Sequence, residues 1–173
     1  RNVHITNGFV LGRSYVGRIA GEDVSPSGGQ AVLEDVSFQG EIKGLWGVGG
    51  IAGKSDVAIN HASADVNIIV MEKGAGGIVG FGDAYLSQSH GTITPTEAGV
   101  DEVGGISGNG TVYSCFSTMD LIRSSGVSFD EKIGGIVGKG DAYFSYIHGT
   151  VEGTDYVGGL VGMGKVENSY AIG

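Results

Sequence analysis

A six-residue glycine phrase occurs six times in this chain: VGRIAG at 16–21, VGGIAG at 48–53, AGGIVG at 75–80, VGGISG at 103–108, IGGIVG at 133–138 and VGGLVG at 157–162. Recurrence at this period marks an array of units, none of which buries its apolar side alone, so that neighbours must stack. A second phrase begins at Val3, Leu33, Val57, Ala84, Val112, Ala142 and Val166. In five copies it starts eight residues after the first motif glycine, and in the first copy 16 residues after it. The excess there is EDVSPSGGQA at 22–31, whose Pro and Gly residues read as an exposed loop. The stretch from the second phrase to the next glycine phrase varies from 16 to 22 residues. One half of each unit is therefore fixed and the other tolerates loops, expected around Ile69 to Gly74, Pro95 to Glu102 and Ser124 to Glu131.

Short runs rich in β-branched and aromatic residues (TVYSCFS, DAYFSYIHGTV), broken by Gly, exclude helices and predict two or three short strands per unit. Like residues at like positions favour coils stacked in parallel over a hairpin meander. The expected fold is an all-β parallel β-solenoid, or β-helix, of about six coils of 24–32 residues, with residues 1–173 as a single repeat domain. Three apolar columns should fill it. One is Ile19, Ile51, Ile78, Ile106, Ile136 and Leu160; another is Ile42, Val66, Ile93, Leu121 and Val151; the third is Ala20, Ala52, Val79, Ser107, Val137 and Val161. The paired glycines Gly49 and Gly50, Gly76 and Gly77, Gly104 and Gly105, Gly134 and Gly135, and Gly158 and Gly159 serve corners with φ > 0 or close approaches between coils. Arg18 replaces the second glycine in the first copy, so that corner must differ.

The chain holds 35 Gly without a Gly-X-Y period, which excludes collagen, and 40% hydrophobic residues, which excludes a flexible Gly-rich linker. A formal charge of −9 disfavours nucleic acid and anionic membrane surfaces as partners, and no apolar run is long enough to span a bilayer. Cys115 is alone and reads as a small buried side chain. Both ends fall within a repeat, so the chain reads as a fragment or internal domain of a longer one with flanking domains.

A His-Glu-x-x-His zinc helix is absent, and His4, His61, His90 and His148 lie in different coils with no ligand spacing. Lys54 and Ser55 follow one glycine phrase, but the phrase recurs without them and no helix follows, so a phosphate loop is not expected. A ladder of Glu41, Asp65, Thr92, Asp120 and Thr150 would place Glu41 and Asp65 about 5 Å apart. Paired acids of that kind suit polysaccharide chemistry or weak Ca²⁺ binding, and a solvated polar face explains the same pattern. The loop pairs Asp101 with Glu102 and Asp130 with Glu131 invite the same two readings. Two aromatic ladders stand out: Tyr85, Tyr113 and Tyr143, and Phe116, Tyr146 and Tyr170. Stacked rings stabilise a solenoid wall; exposed rings form a platform for a sugar or a protein.

The phrases VGGIAG, VGGISG, IGGIVG and VGGLVG, followed at a set distance by VENSYAIG, resemble the GLUG repeat. That resemblance covers essentially the whole chain. It implies a scaffold of large bacterial surface proteins, adhesin-like chains and the region preceding the catalytic domain of immunoglobulin A metallopeptidases. Only the last copy carries Leu at the named position, and AYLSQSHGTI and AYFSYIHGTV carry His where the family has Asn-Ser-Tyr. The expectation is a non-catalytic extracellular bacterial surface or secreted segment, acting as a rigid spacer and presenting loops to a host or matrix protein or glycan, with no cofactor. Two alternatives stand beside it: an accessory substrate-recognition domain of an immunoglobulin A-cleaving zinc peptidase, and a polysaccharide-active β-helix enzyme.

Overall fold

The computed structural model describes residues 2–23, 33–124 and 126–173, so most of the loop expected at 22–31 lies outside the described residues. The described chain is all-β, without a helix, and winds through about six turns of a β-solenoid. Every pairing between its strands is parallel, as β-branched runs of near-equal length and separation require when the chain keeps turning in one sense.

Three faces enclose the core. The wide face carries Val3–Leu11, Ser14–Gly17, Val36–Gly49, Ser63–Gly76, Gln88–Pro95, Asp101–Gly104, Phe116–Leu121, Glu131–Gly134, Tyr146–His148, Asp155–Gly158 and Tyr170–Ile172. A second face stacks Ala20–Asp23, Ala52–Ser55, Val79–Phe81, Ser107–Asn109, Val137–Lys139 and Val161–Met163. The third, narrowest face stacks Ile59–Asn60, Ala84–Tyr85, Val112–Tyr113, Ala142–Tyr143 and Val166–Glu167.

In the middle of the array the wide face is crossed by two unbroken strands of 14 residues, Val36–Gly49 and Ser63–Gly76. The loop expected at Ile69 to Gly74 is therefore strand: Ile69 pairs with both Lys43 and Thr94, and the β-branched run Ile68-Ile69-Val70 continues the alternation. In later coils the same face opens between Pro95 and Asp101 and between Leu121 and Glu131, as expected. These loops are tied down. Val100 and Phe129 are fully buried and bridge each other in parallel, and Asp130 N–H donates to Val100 O at 2.8 Å.

Successive first-motif glycines pair directly, Gly17 to Gly49 to Gly76 to Gly104 to Gly134 to Gly158. Ile51, Ile78, Ile106 and Ile136 lie over one another, each N–H donating to the next carbonyl at 2.9–3.0 Å, and all four are fully buried. The small column Ala20, Ala52, Val79, Ser107, Val137 and Val161 also pairs as expected.

One expected column is out of step. Ile42 pairs with Ile68, and Ile68 with Ile93, so the apolar column is Ile42, Ile68, Ile93, Leu121 and Val151; Val66 instead faces Gly40 and Gly91. The cause lies upstream. Ile59, not Val57, pairs with Ala84, so this copy has ten residues between Gly49 and its second phrase instead of eight. The extra pair is absorbed in a turn at Ser55 to Ala58, where Ser55 Oγ donates to Val57 O at 2.7 Å.

The paired motif glycines answer a need for space and not for φ > 0. A Cβ on Gly76 would lie 2.1 Å from Val79 O, and one on Gly105 would lie 2.2 Å from Gly135 O and 2.4 Å from Ser117 Oγ on the facing wall. Two other columns take left-handed φ at every coil. Tyr15, Gly47, Gly74, Glu102, Lys132 and Tyr156 form one, with φ between 50° and 73°, and Asp35, His61, Leu86, Ser114, Phe144 and Asn168 form the other, with φ between 48° and 53°. A single left-handed residue turns the chain sharply while its N–H still points along the stack: Leu86, Ser114 and Phe144 donate to Tyr113 O, Tyr143 O and Glu167 O at 2.9–3.0 Å. At Arg18 the first coil departs, as expected. Its guanidinium runs beneath Gly8 and sits 5.6 Å from the Phe38 ring, with Nε buried and unpartnered.

Candidate functional site

The corner between the third face and the wide face brings both aromatic ladders to one edge. In two coils the chain passes from a ring on the third face, through the left-handed residue and one buried residue, to a ring on the wide face: Tyr113, Ser114, Cys115 and Phe116 in one, and Tyr143, Phe144, Ser145 and Tyr146 in the next. Tyr85, Tyr113 and Tyr143 pair in register on one side, and Phe116, Tyr146 and Tyr170 on the other.

The two ladders differ in how they pack. Phe116, Tyr146 and Tyr170 are stacked, with centroids 4.4 and 5.2 Å apart and interplanar angles of 25° and 9°. Their faces are spent on one another, the arrangement that stabilises a wall by about 0.5–1.5 kcal/mol per pair. Tyr85, Tyr113 and Tyr143 stand 6.3 Å apart at each step, at 76° and 34°, and so are not stacked; Tyr113 is exposed and Tyr85 and Tyr143 are half-buried. Between them runs a groove of about 500 Å³ lined by Asn60, Tyr85, Leu86, Thr111, Tyr113 and Tyr143.

Leu86 and Phe144 add two apolar side chains to this edge. Both occupy the left-handed corner position, where a bulky side chain is unusual, and both are about half exposed. Phe144 packs on Tyr113 at 5.1 Å. The groove's rim is acidic: Asp83 Oδ1 accepts the Thr111 N–H at 2.7 Å, and Asp141 Oδ1 accepts the Lys165 N–H at 2.9 Å. Asp141 Oδ2 accepts the Tyr143 hydroxyl at 3.3 Å. Desolvation first, and then the Asp141 carboxylate, push the Tyr143 phenol up, which keeps it a neutral hydroxyl. At this end Lys165 Nζ lies 5.6 Å from the Tyr143 centroid and pairs with Glu167.

Beneath the edge runs a buried polar column that composition did not reveal. Ser87 Oγ accepts the Ala62 N–H at 3.1 Å and donates to Tyr85 O at 2.8 Å; Ser145 repeats both bonds with Cys115 N–H and Tyr143 O. Cys115 stands in this column in place of a serine. Its Sγ accepts the Ser87 N–H at 3.4 Å, and burial pushes the thiol up to about 11. The rungs fix the edge from inside.

The acidic ladder is not formed as expected. Glu41 faces Asn67, and Asp65 faces Gln39 and His90, because the two-residue excess before Ile59 shifts the strand. Gln39 Nε2 donates to Asp65 Oδ2 at 3.0 Å, Thr92 Oγ1 donates to Asn67, and Asp120 Oδ1 accepts the Thr150 N–H at 2.7 Å. The Asp65 and Asp120 carboxylates are thus engaged in a polar face of cross-strand bonds. Among the described residues no point gathers three or more His, Cys, Asp or Glu side chains.

One aromatic cluster escaped the sequence, and the Asp101–Glu102 pair, expected as a solvated loop pair, is instead strand with Glu102 buried. Tyr15, Trp46 and Phe81 pack at 4.6 and 5.0 Å over the left-handed Gly47 and Gly74, where a Cβ would strike Phe81. Beside them Glu102, its side chain 2% exposed, meets Lys73 Nζ at 3.2 Å, Lys139 Nζ at 3.5 Å and Asn109 Nδ2 at 3.0 Å. Burial raises its pKa, and the Asn109 and Lys73 hydrogen bonds with the two lysine charges outweigh that and hold it below the ordinary carboxylate range. Asp101 pairs with Lys132 at 3.0 Å in the same network. The members of each cluster come from different columns and different phrases, so no single motif announces them.

Compared with protein-family models, with curated proteins and with solved structures, the chain matches none of them.

Proposed function

We propose that this chain is a non-catalytic segment of an extracellular bacterial surface or secreted protein, of the GLUG-repeat kind its glycine phrases resemble. In this reading it acts as a rigid spacer that presents one aromatic edge to a host or matrix ligand. The observation that carries the reading is the open Tyr85, Tyr113, Tyr143 column, flanked by exposed Leu86 and Phe144 at strained corner positions. Exposed apolar side chains such as Tyr113, Leu86 and Phe144, the last two at backbone positions that cost conformational energy, are expensive to keep where nothing covers them. Support for the spacer comes from the continuous ladder of coil-to-coil backbone bonds and from buried loops that bridge in parallel. This moves the presenting surface from the loops, as expected from the sequence, to the edge.

The test is capture of the fluorescently labelled chain on decellularised fibroblast matrix and on immobilised mucin. A Tyr113→Ala, Tyr143→Ala double variant should lose capture, and Tyr146→Ala, in the closed ladder, should retain it. Capture unaffected by the double variant would remove the edge from the proposal.

A further inference from the structure

Resting on the reading of the tyrosine edge as a binding surface, we infer that the groove over Tyr85, Tyr113 and Tyr143 takes a neutral, extended β-1,4-linked hexopyranose chain lying along the solenoid axis. Three features select this occupant. First, the rings recur once per coil in a straight, in-register column. Coils are spaced about 4.8 Å apart, close to the length of one sugar unit in a flat β-1,4 ribbon, so successive units meet successive rings; an α-linked chain curves away from such a line. Second, the lining is uncharged, with the exposed Tyr113 and the half-buried Tyr85 and Tyr143 offering ring surface to the apolar C–H faces of the sugar and with Asn60, Thr111 and the phenol hydroxyls for its hydroxyl groups.

Third, the charge around the groove is negative. Asp83 and Asp141 flank Thr111 on the column beside the rings, and each spends one carboxylate oxygen on a backbone N–H. Such a rim accepts hydroxyl hydrogen bonds and repels uronic or sialylated chains. The groove also has ends. Asn60 pairs beside Tyr85, while Glu167 pairs beside Tyr143 with Lys165 over that ring, so three rings lie between two polar stops. The bound length is then about three units, one for each ring.

Affinity electrophoresis in hydroxyethylcellulose gels, with titration of cellobiose through cellohexaose, tests this directly. Migration of the chain should slow in hydroxyethylcellulose and not in amylose or polygalacturonate, and affinity should rise up to about cellotriose and then level. Tyr113→Ala should weaken binding at least about tenfold, while Tyr146→Ala retains it; melting curves of each variant establish that it is folded. No retardation in hydroxyethylcellulose, or retardation untouched by Tyr113→Ala, overturns the inference. If matrix or mucin capture nevertheless depends on Tyr113 and Tyr143, the edge binds a ligand of another class and only the glycan assignment falls. If that capture is also independent of both tyrosines, the underlying reading falls with it.

Discussion

The backbone N–H of Cys115 donates to Ser145 Oγ at 3.0 Å, and the sulfur of Cys115 in turn receives the N–H of Ser87 at 3.4 Å. A thiol thus fills one rung of a hydroxyl column, and the chain crosses the corner in the same way in each coil.

Cys115→Ser should leave stability unchanged within about 1 kcal/mol, because the shorter, stronger hydroxyl bond offsets the lost sulfur packing. Cys115→Ala, which leaves the buried Ser87 N–H without an acceptor, should cost about 1–3 kcal/mol. Urea unfolding of the two variants separates these outcomes. With the thiol pushed up to about 11, the native chain should also resist a disulfide reagent at pH 8 and release one thiol equivalent only after denaturation.

Ile106→Ala should destabilise by about 2–5 kcal/mol, since its side chain is fully buried between Ile78 and Ile136 and the hole cannot collapse. Ile19→Ala, in a half-buried position of the first coil, should cost less. Equal losses in denaturant titrations would mean that the coils do not form a shared core.

Gly105→Ala should be severe. The new methyl meets Gly135 O and Ser117 Oγ at once, so the cost should reach or exceed the upper end of the usual overpacking range of about 1–3 kcal/mol. Gly126→Ala meets nothing within 4 Å and bears only the strain of φ +78°, about 1 kcal/mol. Thermal melts should rank the two accordingly.

Glu102 carries a pH signature. Its folded pKa is depressed below the unfolded value of about 4.5, so the stability it contributes is complete above that value and is lost as pH falls through the lower folded value. Glu102→Gln should therefore destabilise the chain at pH 7 and show a smaller further loss between pH 5 and pH 3 than the wild type. Melting temperatures across that range check the sign; parallel curves would show that Glu102 is not held ionised by Lys73 and Lys139.

The stacking of coils was legible because Ile51, Ile78 and Ile106 repeat at a constant offset from the motif glycines, and that half of the unit has no room to vary. The misplacement of Val66 and Asp65 has a physical origin. A shift of one residue would have turned apolar side chains to solvent and been visible, whereas a shift of two keeps inside in and outside out. Val66 and Ile68 are both buried, so either register satisfies the pattern. The extra pair hides in the turn at Ser55 to Ala58, where nothing apolar repeats. The left-handed corners were illegible for another reason: Leu86, Phe144, Glu102 and Lys132 are residue types that do not announce φ > 0, and tertiary stacking imposes it on them. The tyrosine column was readable as a column. Whether its rings were open or closed depended on their tilt, which no spacing encodes.

Because each coil is held to its neighbours by bonds that run along the axis, tension applied across the two ends loads the outermost layer first. The molecule would lengthen in discrete steps, peeling one layer and releasing its length of chain before the next layer bears the force. A tether built this way would damp a sudden pull while most of its tyrosine edge stayed assembled.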